Sequence, residues 1–155
     1  MWHDRQVKIA HPFPSVSLSL PDDVLEDHDS RVSSYWKAGD SCLLQLSCFV
    51  RETGDQVSAQ DRLAARMGAS LNWSLFELPR RPADCEVAAV KTIDVEATTW
   101  VHAYLVWQWL TIYVTVSEKA DLQHCDWAWD ALASIRPVVM QLGTHSRCAP
   151  VPFQR

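Results

Sequence analysis

Apolar and polar residues alternate along several stretches of this chain, which is the period of a strand with one buried face. In SVSLSL (15–20), Val16, Leu18 and Leu20 share one face and three serines the other, and Pro21 ends the run. In SCLLQLSCFV (41–50), Cys42, Leu44, Leu46, Cys48 and Val50 point one way. A weaker strand over 31–37 precedes it across the turn Ala38-Gly39-Asp40. NWSLFEL (72–78) and EVAAVKTIDVE (86–96) predict two more, the first closed by the proline-bracketed loop PRRP.

The least polar stretch is WVHAYLVWQWLTIYVTVS (100–117). A spanning helix needs roughly 20 apolar residues, and this run is interrupted by His102, Gln108, Thr111 and Thr115. Its β-branched and aromatic residues favour strands. A turn around Gln108 and Trp109 sets Leu105 against Ile112, Ala103 against Val114 and Val101 against Val116, so one face of the hairpin is aliphatic. Trp100, His102, Tyr104, Tyr113 and Thr115 form the other face. Gln-Trp is poor chemistry for a two-residue mirror-image turn. A four-residue loop from Trp107 to Leu110 keeps the same pairing.

Two segments switch to the helical period. SAQDRLAARMGASL (58–71) opens on Ser58 as N-cap, with Asp61 three residues on, and carries the stripe Ala59, Leu63, Met67, Leu71. DLQHCDWAWDALASIRP opens at Asp121 and gathers Leu122, Cys125, Ala128, Trp129, Leu132 and Ile135 on one side until Pro137 stops it. Strand runs separated by two helices predict an α+β fold, an antiparallel β-sheet with two main helices packed on it. Residues 1–142 read as a single domain, and the aperiodic segment 143–155 as a mobile tail.

Composition narrows the function. At 155 residues the chain is long enough to bury a real core. A net charge of −5 lacks the basic footprint of a nucleic-acid binder. No basic segment followed by an apolar core opens the chain, so the expectation is a cytoplasmic protein without a membrane span. Five cysteines at irregular spacing (Cys42, Cys48, Cys85, Cys125, Cys148) then read as reduced thiols, with Cys42 and Cys48 packed as small hydrophobes.

Chemistry finds little support. No Cys-x-x-Cys or His-x-x-x-His pair suggests a metal, and the four glycines are too scattered for a phosphate-binding loop. Neither metal nor cofactor is expected. His102, on the aromatic face, is expected to be a satisfied or solvated side chain. Asp121, His124, Cys125 and Asp126 crowd one helix start, where a thiol can be activated. Yet Cys125 belongs to the apolar stripe and adjacent helical residues do not face each other, so no catalytic residue is assigned.

The strand ending in a leucine-proline step (SLSLPDD), the central helix, the long hairpin and the closing helix ending ALASIRP resemble the PsbP-like fold over roughly residues 13–137. That superfamily includes photosystem PsbP subunits, Ran-binding Mog proteins and small bacterial proteins, some of them chaperones of secretion effectors. The resemblance implies a non-enzymatic binding or adaptor module with another protein as partner. Immunity-type or effector-chaperone roles are alternatives, and a small hydrolase using Cys125 or a histidine is the alternative from another class.

Eight tryptophans are many for this length; most should be core, and a surplus would point to an interface. Trp100, Tyr104 and Tyr113 would form a partner site if their hairpin face stays open. The simpler expectation is that the second helix, with Trp127 or Trp129, covers that face. Trp107 and Trp109 flank the hairpin tip, where burial is harder, and are the better contact candidates.

Overall fold

The structure, a computed structural model, describes residues 6–50, 57–68, 73–119 and 121–138. The elements follow in the order β1 (Val7–Phe13), β2 (Val16–Pro21), β3 (Val24–His28), β4 (Ser33–Lys37), β5 (Leu43–Val50), α1 (Ala59–Met67), β6 (Trp73–Leu75), β7 (Glu86–Ile93), β8 (Thr99–Val106), β9 (Leu110–Glu118), α2 (Asp126–Ala133) and β10 (Arg136–Pro137). The fold is α+β, and its strands pair antiparallel in two sheets rather than one. A seven-stranded sheet has the order β3-β4-β5-β9-β8-β7-β6, and a small one has the order β1-β2-β10. The segment 143–155, expected to be a tail, lies outside the described residues.

The hairpin predicted from residues 100–117 forms in the expected register: Leu105 opposes Ile112, Ala103 opposes Val114, and Val101 opposes Val116. Trp107 and Leu110 close it by mutual backbone hydrogen bonds of 2.8 and 3.4 Å, so the loop is the two residues Gln108 and Trp109. Neither has positive φ, so the turn avoids the mirror-image types that Gln and Trp would disfavour.

The aliphatic face of the hairpin is the centre of the main core. Val101, Ala103, Leu105, Ile112, Val114 and Val116 are all at most 1% exposed. Val16, Leu18 and Leu20 of β2 and Ala128, Trp129 and Leu132 of α2 pack with them, so the small sheet and α2 cover this inner face. β1 and β3 escape the alternation rule because they are edge strands. Val7, Ile9 and Leu25, the apolar residues that would mark a strand, face outward there and are 62, 62 and 47% exposed.

α2 begins at Asp126, later than the expected Asp121. Residues 121–124 form a turn, with Asp121 and Leu122 at φ of 58° and 64°. The carboxylate of Glu118 takes the His124 backbone N–H at 2.9 Å, which holds the chain in that turn. α1 matches expectation at its start, where Ser58 Oγ accepts from the Asp61 N–H at 3.0 Å, and ends early at Gly68 with φ 59°. Leu71, the last residue of its expected stripe, is outside the described residues.

One cysteine expectation is overturned. Cys42, just before β5, and Cys125, the N-cap of α2, form a disulfide across a sequence separation of 83, with Cα atoms 5.6 Å apart. Sequence spacing cannot show such a pair, because it is assembled by the packing of α2 on the sheet. Cys48 and Cys85 are free and half-buried.

Candidate functional site

The outer face of the seven-stranded sheet is built in cross-strand rows. One row runs Leu25–Trp36–Leu43–Ser117–Trp100–Thr92–Trp73, each residue directly opposite the next across all seven strands. The next row is Asp27–Ser34–Gln45–Thr115–His102–Val90–Leu75. A third carries Ser47, Tyr113, Tyr104 and Ala88. Alternation along each strand puts these side chains on one side because their neighbours in sequence fill the main core.

α1 covers part of this face. Ala59 and Leu63 pack on Val90, Tyr104 and Val106, with Met67, Trp73, Ala88 and Tyr113 around them. Arg66 finishes the seal: its Nε donates to Tyr104 Oη at 2.7 Å and its guanidinium sits 3.8 Å from the Tyr113 ring centroid. The covering helix is therefore α1 and not α2, whose Trp127 and Trp129 lie on the inner side. The reason is that α2 carries the wide apolar surface the aliphatic side of the hairpin requires, whereas α1 offers a short stripe.

Burial sorts the five residues predicted for binding. Tyr104, at 6% exposure, is sealed beneath α1, and Tyr113 is half-buried beside it. Trp107 is 8% exposed and its Nε1 donates to the Ala83 carbonyl at 3.3 Å. Leu78 and Cys85, at the ends of the loop 78–85, pack with Trp107 and bury it, so neither Trp107 nor Tyr104 offers a contact surface. Trp109 is half-buried against the main core. Trp100 remains half-exposed, its Nε1 held by Asp94 Oδ2 at 3.0 Å.

What stays open is the half of the face over β3, β4 and β5 and the row leading to Trp100. Leu25 and Phe49 are each 47% exposed, and Trp36, Leu43 and Trp100 are half-buried, while Trp73 at the far end of the row packs into the cluster under α1. Sequence reading did not select Trp36 or Trp73. They lie in strands distant along the chain, and only the register places them in line with Trp100.

His102 sits between the open row and the covered one. Its Nδ1 lies 2.7 Å from Tyr113 Oη and its Nε2 3.2 Å from Thr92 Oγ1. Burial, and then the charge of Arg66, hold its pKa below the ordinary histidine value. It is a neutral, satisfied linker of strands, as expected. Cys125 is fully buried and bonded to Cys42, so in this state it is no nucleophile. Cys42, Cys125 and Glu118 bring their donor atoms within 4.8 Å of one another, but the disulfide occupies both sulfurs.

No protein-family model matches the chain, and no curated protein matches it. Among solved structures it is similar to a crystal structure from Bacteroides thetaiotaomicron VPI-5482, at 13% identity and a TM-score of 0.52, over 80% of this chain and 45% of that one. The chain thus spans less than half the length of that protein, and at this identity the likeness concerns the fold alone. No helix among the described residues is long and apolar enough to cross a membrane.

Proposed function

We propose that this chain is a non-enzymatic protein-binding or adaptor module, and that its partner docks on the open half of the outer sheet face. The observation that carries this reading is the cross-strand row with Trp36 and Trp100, joined through Leu43 and Ser117 and flanked by Leu25. Large aromatic side chains on a rigid sheet supply contact area at little cost in side-chain entropy, and they dominate the cores of interfaces. The polar row of Asp27, Ser34 and Gln45 alongside suits a rim that fixes orientation. The PsbP-like kinship expected from the sequence is supported by the same features: an antiparallel sheet, a central helix, a long hairpin and a closing helix. An immunity-type or effector-chaperone role would use the same face. Cys125, the nucleophile a hydrolase role would use, is fully buried in the disulfide with Cys42.

The test pairs binding with footprinting. Immobilised wild-type chain should retain a defined protein, and Trp36 and Trp100 should become resistant to oxidation in that complex. The double variant Trp36→Ala/Trp100→Ala should lose the partner while melting within a few degrees of wild type. Equal retention by the variant, or undiminished oxidation of both tryptophans in the complex, rules the face out.

A further inference from the structure

A second cluster, on the opposite side of the sheet from the docking face, sets a disulfide beside a buried acid. Glu118 ends β9 with a side chain that is 0% exposed. Its carboxylate accepts the His124 backbone N–H, at 2.9 Å to Oε2 and 3.2 Å to Oε1. Oε1 also lies 2.6 Å from His124 Nδ1, and the imidazole side chain is itself 63% exposed, linking the buried carboxylate to solvent. On its other side, Oε2 lies 3.0 Å from Cys125 Sγ, at hydrogen-bonding reach of a sulfur bonded to Cys42.

A disulfide sulfur has no hydrogen to give. In the oxidised state the Oε2–Sγ approach therefore sets lone pairs against a carboxylate where water is excluded, since Cys42 and Cys125 are at most 1% exposed. In the reduced state the Cys125 thiol donates to Oε2, and the approach becomes a charge-assisted hydrogen bond. A disulfide serving only as a staple gains nothing from a buried acid at this distance. A pair that opens and closes gains a bond that exists in its dithiol form alone. Both sulfurs are closed to solvent in the folded chain, so a reductant enters only when the residues beside them open locally. Ser41 and His124, each immediately before one of the cysteines, line a surface cleft of about 400 Å³ together with Lys37 and Asp40.

We propose that Cys42–Cys125 is a reversible, redox-active disulfide and that Glu118 hands Cys125 its proton. A small dithiol, admitted by local opening at the cleft, attacks Cys42 Sγ as a thiolate. The S–S bond breaks, a mixed disulfide forms on Cys42, and the electron pair leaves on Cys125 Sγ. That sulfur takes a proton passed across Glu118 from the solvent-facing His124 ring, which refills from water. The second thiol of the reductant, deprotonated, closes on its own partner sulfur and releases Cys42, which takes a second proton. The net exchange is two electrons and two protons to the protein, with the reductant leaving as its cyclic disulfide.

The experiment equilibrates the folded 155-residue chain with mixtures of reduced and oxidised dithiothreitol, quenches, and counts maleimide labels by mass while circular dichroism reports the fold. Wild type should gain two labels reversibly with its spectrum retained. Glu118→Gln should show a reduced-to-oxidised ratio lower by on the order of tenfold in the same buffer, because the thiol loses its charged acceptor. Should Glu118→Gln fail to fold, Glu118→Asp, which withdraws the carboxylate by one methylene, should shift the ratio in the same direction. A disulfide that opens only in denaturant, or a foldable Glu118 variant reduced as readily as wild type or more so, overturns the proposal.

Discussion

Two histidines in this chain carry opposite pH signatures, each set by its immediate partners. The hydrogen bond to Glu118, then its charge, raise the pKa of His124 above the ordinary value of 6.5. Its contribution to stability is therefore complete below that value and is lost as the pH rises through the raised folded-state value. His102 has a lowered pKa from burial, so the folded chain resists protonating it and stability falls as the pH drops below 6.5. The two effects fall in adjacent pH windows, that of His102 below 6.5 and that of His124 above it, and substitution separates them. His124→Gln should depress the melting temperature most near about pH 5.5 and progressively less toward about pH 8.5; a deficit that grows with pH would contradict the assigned partner. At the hairpin tip, Trp107→Ala should cost about 3–5 kcal/mol and Trp109→Ala below about 2 kcal/mol in urea unfolding, since only the first is fully packed.

At the scale of elements, the hairpin β8–β9 was legible because both arms present unbroken alternation and share one aliphatic side, which leaves a single register that buries it. The helix α1 was legible through its cap. Ser58→Ala should remove about 1 kcal/mol, read from the denaturation midpoint, by orphaning the Asp61 N–H. The start of α2 was not legible, because the group that reshapes residues 121–124 is a carboxylate at the end of the preceding strand. β1 and β3 were not legible either. An edge strand with apolar residues turned outward has the opposite alternation from the one that burial rewards.

For the whole molecule, the sheet is a wall with different coverings on its two sides. The small sheet and α2 close the inner side, and α1 closes part of the outer side. The disulfide ties the start of β5 to α2 across 83 residues, so its reduction should lower stability by on the order of 4 kcal/mol through the freedom returned to the unfolded chain. The fold should persist after reduction, because β2, α2 and the hairpin remain packed on one another; calorimetry with and without dithiothreitol measures the difference. Of the binding residues expected from the sequence, Trp100 keeps an accessible place in the row, whereas Trp107 and Tyr104 are enclosed by parts of the chain remote in sequence.

Local pattern alone determined the α+β class, the hairpin register, the inward residues of β2, Leu44 and Leu46 of β5, the apolar side of α2 and the cap of α1, because each depends on neighbours a few residues apart, whereas Val50, expected inward, is 43% exposed at the end of β5. Tertiary structure alone decided the division into two sheets, which helix covers which face, the alignment of Trp36 and Trp73 with Trp100, and the meeting of Cys42, Cys125 and Glu118. Those juxtapositions follow from strand order and from the docking of α2. Both are set by the summed burial of the whole chain, which no short stretch of sequence encodes.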